Sequence, residues 1–269
     1  MALFGFIGTG NMGGALASAV SRKCGAAEIL LANRTPVKAE ALAAALGAKA
    51  TDNATVAASC TYLFLGVKPQ GMAALLTDLA PILKARTDRF VLVTMAAGLS
   101  METITAMADI TAPVIRIMPN TPVSVGEGII LCTANALVTT EELAVFTDAL
   151  SLAGIVDLVT EAELDAAGVI SGCGPAFMFQ FIKAMEDAGV SLGLSSDKAR
   201  LYAEQTMCGA AHLALATGKD PEDLKIAVCS PGGTTIEGVK RFENGGLSTL
   251  VSEAVAASYR RTLELAGKI

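Results

Sequence analysis

The sequence is poor in the residues that build metal sites and disulfide frameworks. Its 269 residues include one His and six Cys, and no two Cys have CxxC spacing. A zinc site therefore has no support, and a chain of this length with so few cysteines does not resemble a disulfide scaffold. We expect no metal, and we expect free thiols in a protein of the reducing cytoplasm.

Charge is also scarce, and none of it is concentrated. Charged residues make up 17% of the chain, below the roughly 25% of typical soluble domains. The net charge is -6 and no run of Lys and Arg stands out, which argues against nucleic acid and anionic membranes as partners. No apolar run approaches the roughly 20 residues of a membrane span. The apolar stretch Met1–Ile7 is too short, and lacks the basic residues, for a signal peptide.

The first 160 residues do contain a regular alternation of strand and helix patterns. We predict strands at Leu3–Ile7, Glu28–Ala32, Tyr62–Val67, Phe90–Met95, Val114–Met118, Gly128–Thr133 and Ile155–Val159. We predict helices at Asn11–Arg22, Val37–Leu46, Gln70–Lys84, Met101–Met107 and Glu141–Leu152. This alternation is typical of the α/β class, with a parallel sheet covered by helices on both faces.

The strand signal ends near Glu161, and only helical patterns follow. They cover Glu161–Ile170, Pro175–Val190, Ser196–Leu215, Thr235–Glu243 and Leu247–Ala266. Several are apolar nearly all round, as in a helix buried on most sides, and the segment is too short to cover such faces alone. We therefore predict a cofactor domain at 1–160 and an all-helical substrate-binding and dimerisation domain at 161–269, which forms a homodimer.

A glycine-rich loop follows the first predicted strand and opens the first predicted helix. It reads Gly8-Thr9-Gly10-Asn11-Met12-Gly13, and this setting is the one that the dinucleotide fingerprint requires. Its glycines allow a tight turn, close approach to a pyrophosphate and close packing of the helix on the strand. The free N–H groups of the helix start then favour phosphate.

The second predicted strand ends without the acidic residue that usually binds the ribose of NAD. It ends instead at Asn33, Arg34 and Thr35. Arg34 can form charge-assisted bonds to a 2′-phosphate, and its neighbours can add neutral ones. We expect NADPH as the cofactor, with NADH possible; the alternative is that Arg34 is a solvated surface residue.

Two further strand ends bring residues to the edge of the sheet where ligands bind in open α/β folds. One ends in Val67-Lys68-Pro69 and the other in the small residues Ala96-Ala97-Gly98, which leave room for a nicotinamide ring. A solvated Lys and a plain turn are the alternatives. The expected cofactor-binding residues are Gly8, Thr9, Gly10, Asn11, Met12, Asn33, Arg34, Thr35, Asn53, Val67, Lys68, Pro69, Ala96, Ala97 and Gly98.

Four stretches of the chain resemble pyrroline-5-carboxylate reductases. They are Phe64–Gln70, Arg116–Pro122, Ser171–Ala176 and Ser230–Thr235, and their spacing along the chain also fits. The resemblance implies reduction of the cyclic imine 1-pyrroline-5-carboxylate to L-proline, the last step of proline biosynthesis. It also implies a Rossmann domain, an all-helical domain, interleaved dimers and, in some members, decamers of five dimers.

Reduction of an imine needs hydride at carbon and a proton at nitrogen. A cyclic imine is basic enough to arrive protonated, so position is what the protein must supply. The only His, His212, is interpreted as a core or interface residue. The Ser230–Thr235 loop suits a substrate carboxylate, because its glycines allow close approach and the following helix offers N–H groups.

The residues that we expect to contact the substrate lie in four parts of the sequence: at Asn120, at Glu161, at 171–174 and at 228–235. Ser171 hydrogen-bonds the imine nitrogen, directly or through water; Asn120 places the substrate or the carboxamide, unless it is only a turn residue. Glu161 faces the ring nitrogen or is an ordinary helix-start carboxylate. The catalytic set is Ser171, Thr235 and Glu161. The substrate-binding set is Val228, Ser230, Gly232, Gly233, Thr234, Thr235, Asn120 and Gly174.

The chain departs from the family pattern at two positions. Gly168 stands where relatives commonly carry a Thr, and Cys173 stands where a Ser is usual, so no side-chain acid is assigned there. One alternative is a β-hydroxyacid or 6-phosphogluconate-type dehydrogenase, for which Lys183 would be the catalytic lysine. The other alternative is a regulator that binds NADPH without catalysis.

Overall fold

The computed structural model describes residues 3–269 and divides the chain into two compact units. The first unit runs up to Cys173 and also includes Tyr259–Ile269, and the second unit is Gly174–Ser258. The last strand ends just before the boundary that we predicted at 160/161. That this position is also the boundary between two domains stays a prediction. The compact division falls later because the helix that begins at Glu161 packs against the sheet.

The first unit is built on an eight-stranded sheet. Its strands are β1 Phe4–Ile7, β2 Ile29–Ala32, β3 Lys49–Ala50, β4 Tyr62–Leu65, β5 Val91–Thr94, β6 Val114–Pro119, β7 Gly128–Ala134 and β8 Gly154–Leu158. Their order across the sheet is β3-β2-β1-β4-β5-β6-β7-β8. Six of the seven neighbouring pairs are parallel, which confirms the expected α/β fold.

The remaining pair, β6 and β7, is antiparallel. Only a short 3-10 turn at Thr121–Val125 separates these strands. A parallel crossover needs a dozen or more residues, so the chain can only reverse direction here. This reversal brings Asn120, at the end of β6, next to the start of β7, where Ile129 donates to its side chain.

Both faces of the sheet are buried, which explains why its strands are apolar at consecutive positions. Phe4, Phe6 and Phe64 face one side, and Ile7 and Leu65 face the other. The helices of this unit are α1 Asn11–Cys24, α2 Pro36–Leu46, α3 Asn53–Ser59, α4 Pro69–Ala85, α5 Met101–Ala108, α6 Thr140–Ala149 and α7 Glu161–Gly168. Helices α1 and α6 cover the first face, and α3, α4 and α5 cover the second.

The second unit is entirely helical. A π-helical segment, Val169–Cys173, ends the first unit's helical stretch. The helices that follow are α8 Gly174–Ser191, α9 Ser196–Thr217, α10 Pro221–Val228, α11 Thr234–Asn244 and α12 Leu247–Leu265, and α12 enters the first unit at Tyr259. No helix within residues 3–269 has the length and apolar composition that crossing a membrane requires.

A buried carboxylate joins α8 to α9 within the second unit. Glu186 accepts hydrogen bonds from Ser196 at 2.7 Å and from Arg200 at 3.1 and 3.2 Å. These donors, Arg200 first, lower the pKa of Glu186 to about 2. The carboxylate therefore stays ionised and holds the two helices together throughout the neutral range.

Three short elements were not predicted from the sequence, namely β3, α3 and α10. A two-residue strand shows no periodicity, and helices of seven or eight residues show barely two turns of it. For the two helices, the N-cap residue is the one feature of the sequence that indicates where the helix begins. Asp52 accepts a hydrogen bond from Thr55 N at the start of α3, and Asp220 does the same for Glu222 N at the start of α10.

Candidate active site

The glycine loop makes the turn that its sequence predicts. Gly8 has a φ of 102°, and a side chain there would lie 2.5 Å from the carbonyl oxygen of Gly66. A side chain at Gly13 would overlap with the carbonyl oxygen of Gly8. A Cβ at Gly10, by contrast, would meet nothing within 4 Å. The loop is therefore packed tightly on the sheet side and open at Gly10, where a phosphate can approach.

The start of α1 fits a bound phosphate group. Gly10 is its N-cap residue, and no side chain caps it, so the first N–H groups, including those of Asn11 and Met12, remain for a ligand. The buried hydroxyl of Thr9 has no hydrogen-bond partner within residues 3–269. Because a buried polar group normally has a partner, this unpaired hydroxyl supports a ligand at the loop.

Asn33 organises the loops around this helix start. Its Oδ1 accepts from Thr9 N at 3.1 Å, and its Nδ2 donates to Thr35 O at 3.1 Å. The amide thus ties the loop after β1 to the loop after β2. Asn33 also lines the pocket that contains Arg34, and the second N–H of its Nδ2 remains available to a ligand; its contact with a 2′-phosphate stays a prediction.

Arg34 lies at a pocket of about 570 Å³ beside this loop. Asn53, the first residue of α3, lines the same pocket. Arg34 makes no ion pair with any residue in the described part of the chain, so its guanidinium is available to an anionic group. Thr35 does not line the pocket, and instead precedes Pro36 as the N-cap of α2.

The residues that follow β4 and β5 differ in their exposure to solvent. Val67, Lys68 and Pro69 pass from β4 into α4, and Lys68 is exposed as its N-cap residue. Ala96 is buried in the apolar core, whereas Ala97 is exposed.

Gly98 lies in a tight turn next to the end of α12. A side chain there would lie 2.9 Å from the carbonyl oxygen of Leu265, so the end of α12 lies close against Gly98. Gly98 also has a φ of 78°, which favours glycine independently of any ligand. Its role in holding cofactor stays a prediction.

Asn120 and Ser171 lie together in the first unit. The Nδ2 of Asn120 donates to the carbonyl of Ser171 at 3.0 Å, and its Oδ1 accepts from Ile129 N at 2.9 Å. Ser171 lies in the π-helical segment, and its hydroxyl donates to Ala167 O at 3.0 Å. Asn120 therefore holds this segment against β6 and β7. Such π-helical turns frequently mark functional sites.

A buried ionic cluster was missed in the sequence. Arg116 is 3% exposed and Asp165 is 2% exposed. The arginine donates to Asp165 at 3.3 Å and to Glu161 at 3.1 Å, and Lys268 donates to the other oxygen of Asp165. The available signal was a single arginine among the apolar residues of a buried strand, which implies a buried partner.

Glu161 belongs to this cluster. We expected it to face the substrate nitrogen or to be an ordinary carboxylate at the start of a helix. Its Oε1 accepts from Arg116 and also from Met101 N, the first N–H of α5, at 3.2 Å. Thr160, not Glu161, forms the capping box of α7. A cleft of about 420 Å³ lies beside the cluster, next to Gly98. The contacts of Glu161 thus join α5, α7 and β6.

The second glycine-rich loop lies in the second unit. Gly232 has a φ of 73°, and a side chain at Gly233 would lie 2.5 Å from the hydroxyl oxygen of Ser230. Gly233 is the N-cap of α11 and no side chain caps this helix. Val228, Ser230, Gly232, Thr234 and Thr235 are all exposed. The loop thus presents uncapped N–H groups and three hydroxyls, a suitable set of donors for a carboxylate.

The chain is similar to known proteins over almost its whole length. A family described as "Pyrroline-5-carboxylate reductase dimerisation" matches residues 161–265, and one described as "NADP oxidoreductase coenzyme F420-dependent" matches residues 3–98. The pyrroline-5-carboxylate reductase of Pseudomonas aeruginosa is 37% identical over 98% of this chain and 97% of its own. That of Corynebacterium melassecola is 34% identical over 98% and 99%. The chain belongs to the pyrroline-5-carboxylate reductase family.

Solved structures of this family share the fold. The pyrroline-5-carboxylate reductase of Coxiella burnetii has a TM-score of 0.90 at 30% identity, and the match covers 98% of both chains. The Plasmodium falciparum pyrroline carboxylate reductase with NADP bound has a TM-score of 0.86 at 26% identity, again over 98% of both chains. The resemblance inferred from the four motifs is confirmed.

The family's dimerisation region coincides with helices that leave apolar side chains uncovered within one chain. Phe179 is 63% exposed and Leu192 is 86% exposed, and Leu201, Leu215 and Leu250 are similarly open to solvent. Exposed apolar surface of this extent marks an interface. The chain therefore carries an oligomerisation surface, as its apolar helix patterns indicated.

Three further residues singled out in the sequence, Lys183, His212 and Gly168, have ordinary surroundings. Lys183 pairs with Asp187 at 2.7 Å one helical turn away, and this partner raises the pKa of the lysine. His212 is exposed on α9, 3.9 Å from the sulfur of Cys208. A side chain at Gly168 would reach Met118 at 3.4 Å. In the described residues no three metal-ligating side chains come together.

Proposed function

We propose that this chain reduces 1-pyrroline-5-carboxylate to L-proline with a hydride from NADPH. The observation that carries the proposal is that two helices, α1 and α11, begin at a glycine with no side-chain cap. Each start offers N–H groups to an anion, and the substrate and the cofactor are both anionic. In a chain of this family, such starts suit the pyrophosphate and the substrate carboxylate.

When bound, NADPH supplies the hydride for the imine carbon. Gly8–Met12 and Arg34 would hold the cofactor, and the cyclic imine would arrive protonated. No acidic side chain is therefore required, in agreement with Gly168 and Cys173 at the departing positions. Alignment of the reacting carbons at about 3–3.5 Å is the main contribution of the protein, and it is worth roughly 7–11 kcal/mol.

Ser171 is proposed to accept the N–H of the protonated imine. Its hydroxyl hydrogen is already given to Ala167 O, so only the lone pairs of the oxygen are available. An acceptor at this position suits an iminium cation and does not suit a neutral imine, which would need a donor. Asn120 keeps Ser171 in place through the bond to its carbonyl.

The substrate carboxylate is proposed to bind at Ser230–Thr235. The N–H groups at the start of α11 and the hydroxyls of Thr234 and Thr235 are donors only one or two residues apart. An anion at a helix N-terminus is favoured by about 0.3–1 kcal/mol through the dipole alone. Glu161 is proposed as a positioning residue for α5, because its oxygen is already shared between two donors.

The function is tested directly by turnover. Purified protein with NADPH and 1-pyrroline-5-carboxylate should oxidise the cofactor with formation of equimolar L-proline, and should not reduce NADP⁺ with β-hydroxyacids. Absorbance at the nicotinamide band and amino-acid analysis measure the two sides of the reaction. Turnover of a hydroxyacid, or binding of NADPH without turnover of any cyclic imine, would contradict the proposal.

We also propose that NADPH is preferred over NADH because of Arg34. The Arg34→Ala variant should lower the ratio of kcat/KM for NADPH to that for NADH by about tenfold to a hundredfold, since bonds to a charged group contribute roughly 1.5–3 kcal/mol each. Steady-state kinetics with each cofactor give the ratio. Lys38→Ala, a nearby cation that does not line the pocket, is the control, and an equal effect in both variants would rule out a specific role for Arg34.

The proposed assembly is a homodimer formed through the C-terminal helices, located in the cytoplasm. The uncovered apolar side chains of α8, α9 and α12 support the dimer, and six unpaired cysteines suit a reducing compartment. We extend the proposal to a decamer of five dimers, as the family resemblance implies. Light scattering after size exclusion distinguishes two copies from ten.

A further inference from the structure

The pocket beside Arg34 contains more negative than positive charge. Its lining includes Arg34, Glu40 and Asp52, so two carboxylates share the pocket with one guanidinium. Neither Glu40 nor Arg34 forms an ion pair with any residue between 3 and 269. The guanidinium is therefore not neutralised by direct contact, but any anion that enters meets both carboxylates as well.

The position of Asp52 is fixed by the fold. Its Oδ1 accepts from Thr55 N at 2.7 Å as the N-cap of α3, and this bond lowers the pKa of the carboxyl group. Asp52 is thus ionised at neutral pH and cannot swing away without uncapping α3. Glu40 lies in the second turn of α2, where it is exposed.

We infer that Glu40 and Asp52 limit the preference of the enzyme for NADPH by repelling the 2′-phosphate that Arg34 attracts. The inference rests on the proposed cofactor and concerns how strongly the site discriminates. NADH carries a neutral hydroxyl at the same position, so repulsion of the 2′-phosphate weakens the use of NADPH relative to NADH. Cofactor selectivity then reflects one attraction opposed by two repulsions, and NADH remains a usable donor.

The Glu40→Gln variant should raise the NADPH-to-NADH ratio of kcat/KM. At the roughly 8 Å that a pocket of this size allows, one charge acting on a phosphate dianion changes the ratio by about two- to fivefold. Asp52→Asn should act in the same direction, because Asn also caps helices. Both effects should vanish near 1 M salt, where the Debye length is about 3 Å, whereas a change of pocket shape would persist.

Glu141→Gln is the matched control. It changes the net charge by the same amount, but Glu141 lies in the first turn of α6 and does not line the pocket. An unchanged ratio in Glu40→Gln and Asp52→Asn, or the same rise in Glu141→Gln, overturns the inference. The Arg34→Ala result separates the two proposals. A lowered ratio there with no rise in Glu40→Gln removes only this inference, and an unchanged ratio there removes the proposed preference itself.

Discussion

Replacement of Asp165 by Ala is expected to lower the free energy of unfolding by about 3–5 kcal/mol, the usual cost of removing one partner of a buried ion pair. Arg116 would keep its charge at 3% exposure with only Glu161 to balance it. Lys268 would lose its carboxylate as well. Urea unfolding followed by circular dichroism, at one fixed protein concentration, measures the change.

Lys240→Ala is the control for this experiment. Lys240 pairs with Glu237 on an exposed face of α11, and such pairs contribute no more than about 1 kcal/mol. Asp165→Asn retains the shape of the side chain and removes only its charge, so it should fall between Asp165→Ala and wild type. Should Asp165→Ala unfold at the same urea concentration as Lys240→Ala, the buried cluster would contribute nothing to stability.

The Gly13→Ala variant is expected to lose at least about a hundredfold in kcat/KM for NADPH. Its Cβ would overlap with the carbonyl oxygen of Gly8, and no rotation of a side chain can relieve a clash between Cβ and backbone. The start of α1 must therefore move. A displacement of about 1 Å in a positioning element can cost about a hundredfold. Steady-state kinetics and NADPH fluorescence titration separate lost binding from lost turnover.

The next residue provides a matched comparison. A Cβ at Gly14 would lie 3.5 Å from a methyl group of Leu42, which is ordinary contact. Gly14→Ala should retain wild-type kinetics and gain up to about 1 kcal/mol of stability from helix propensity. Equal kinetic losses in both variants would mean that α1 tolerates no alanine at its start, and the close approach of Gly13 to Gly8 would not be the cause.

The sequence predicted those parts of the fold and site that depend on local pattern. The glycine loop, the strands β1 and β4 and the uncapped start of α11 each lie within a few consecutive residues. Their residue types directly limit the backbone. The apolar faces of the C-terminal helices were recognised in the same way.

The parts that could not be predicted depend on contacts between distant residues. Arg116 meets Glu161 and Asp165 more than forty residues later in the chain, and Lys268 joins them from near its end. The sequence shows the charge of each residue but not which partner it meets. The same holds for Asn33, because the sequence does not show whether its amide is free or bonds to two loops.

The return of Tyr259–Ile269 to the first unit affects the order in which the protein can be completed during translation. The sheet, α7 and the π-helical segment are synthesised first. The ion pair of Asp165 with Lys268 and the contact of Gly98 with Leu265 can form only after the last residues of the chain have been made. Domains generally fold as they leave the ribosome. Here the amino-terminal unit reaches its final contacts only after the whole intervening helical unit, Gly174–Ser258, has been made.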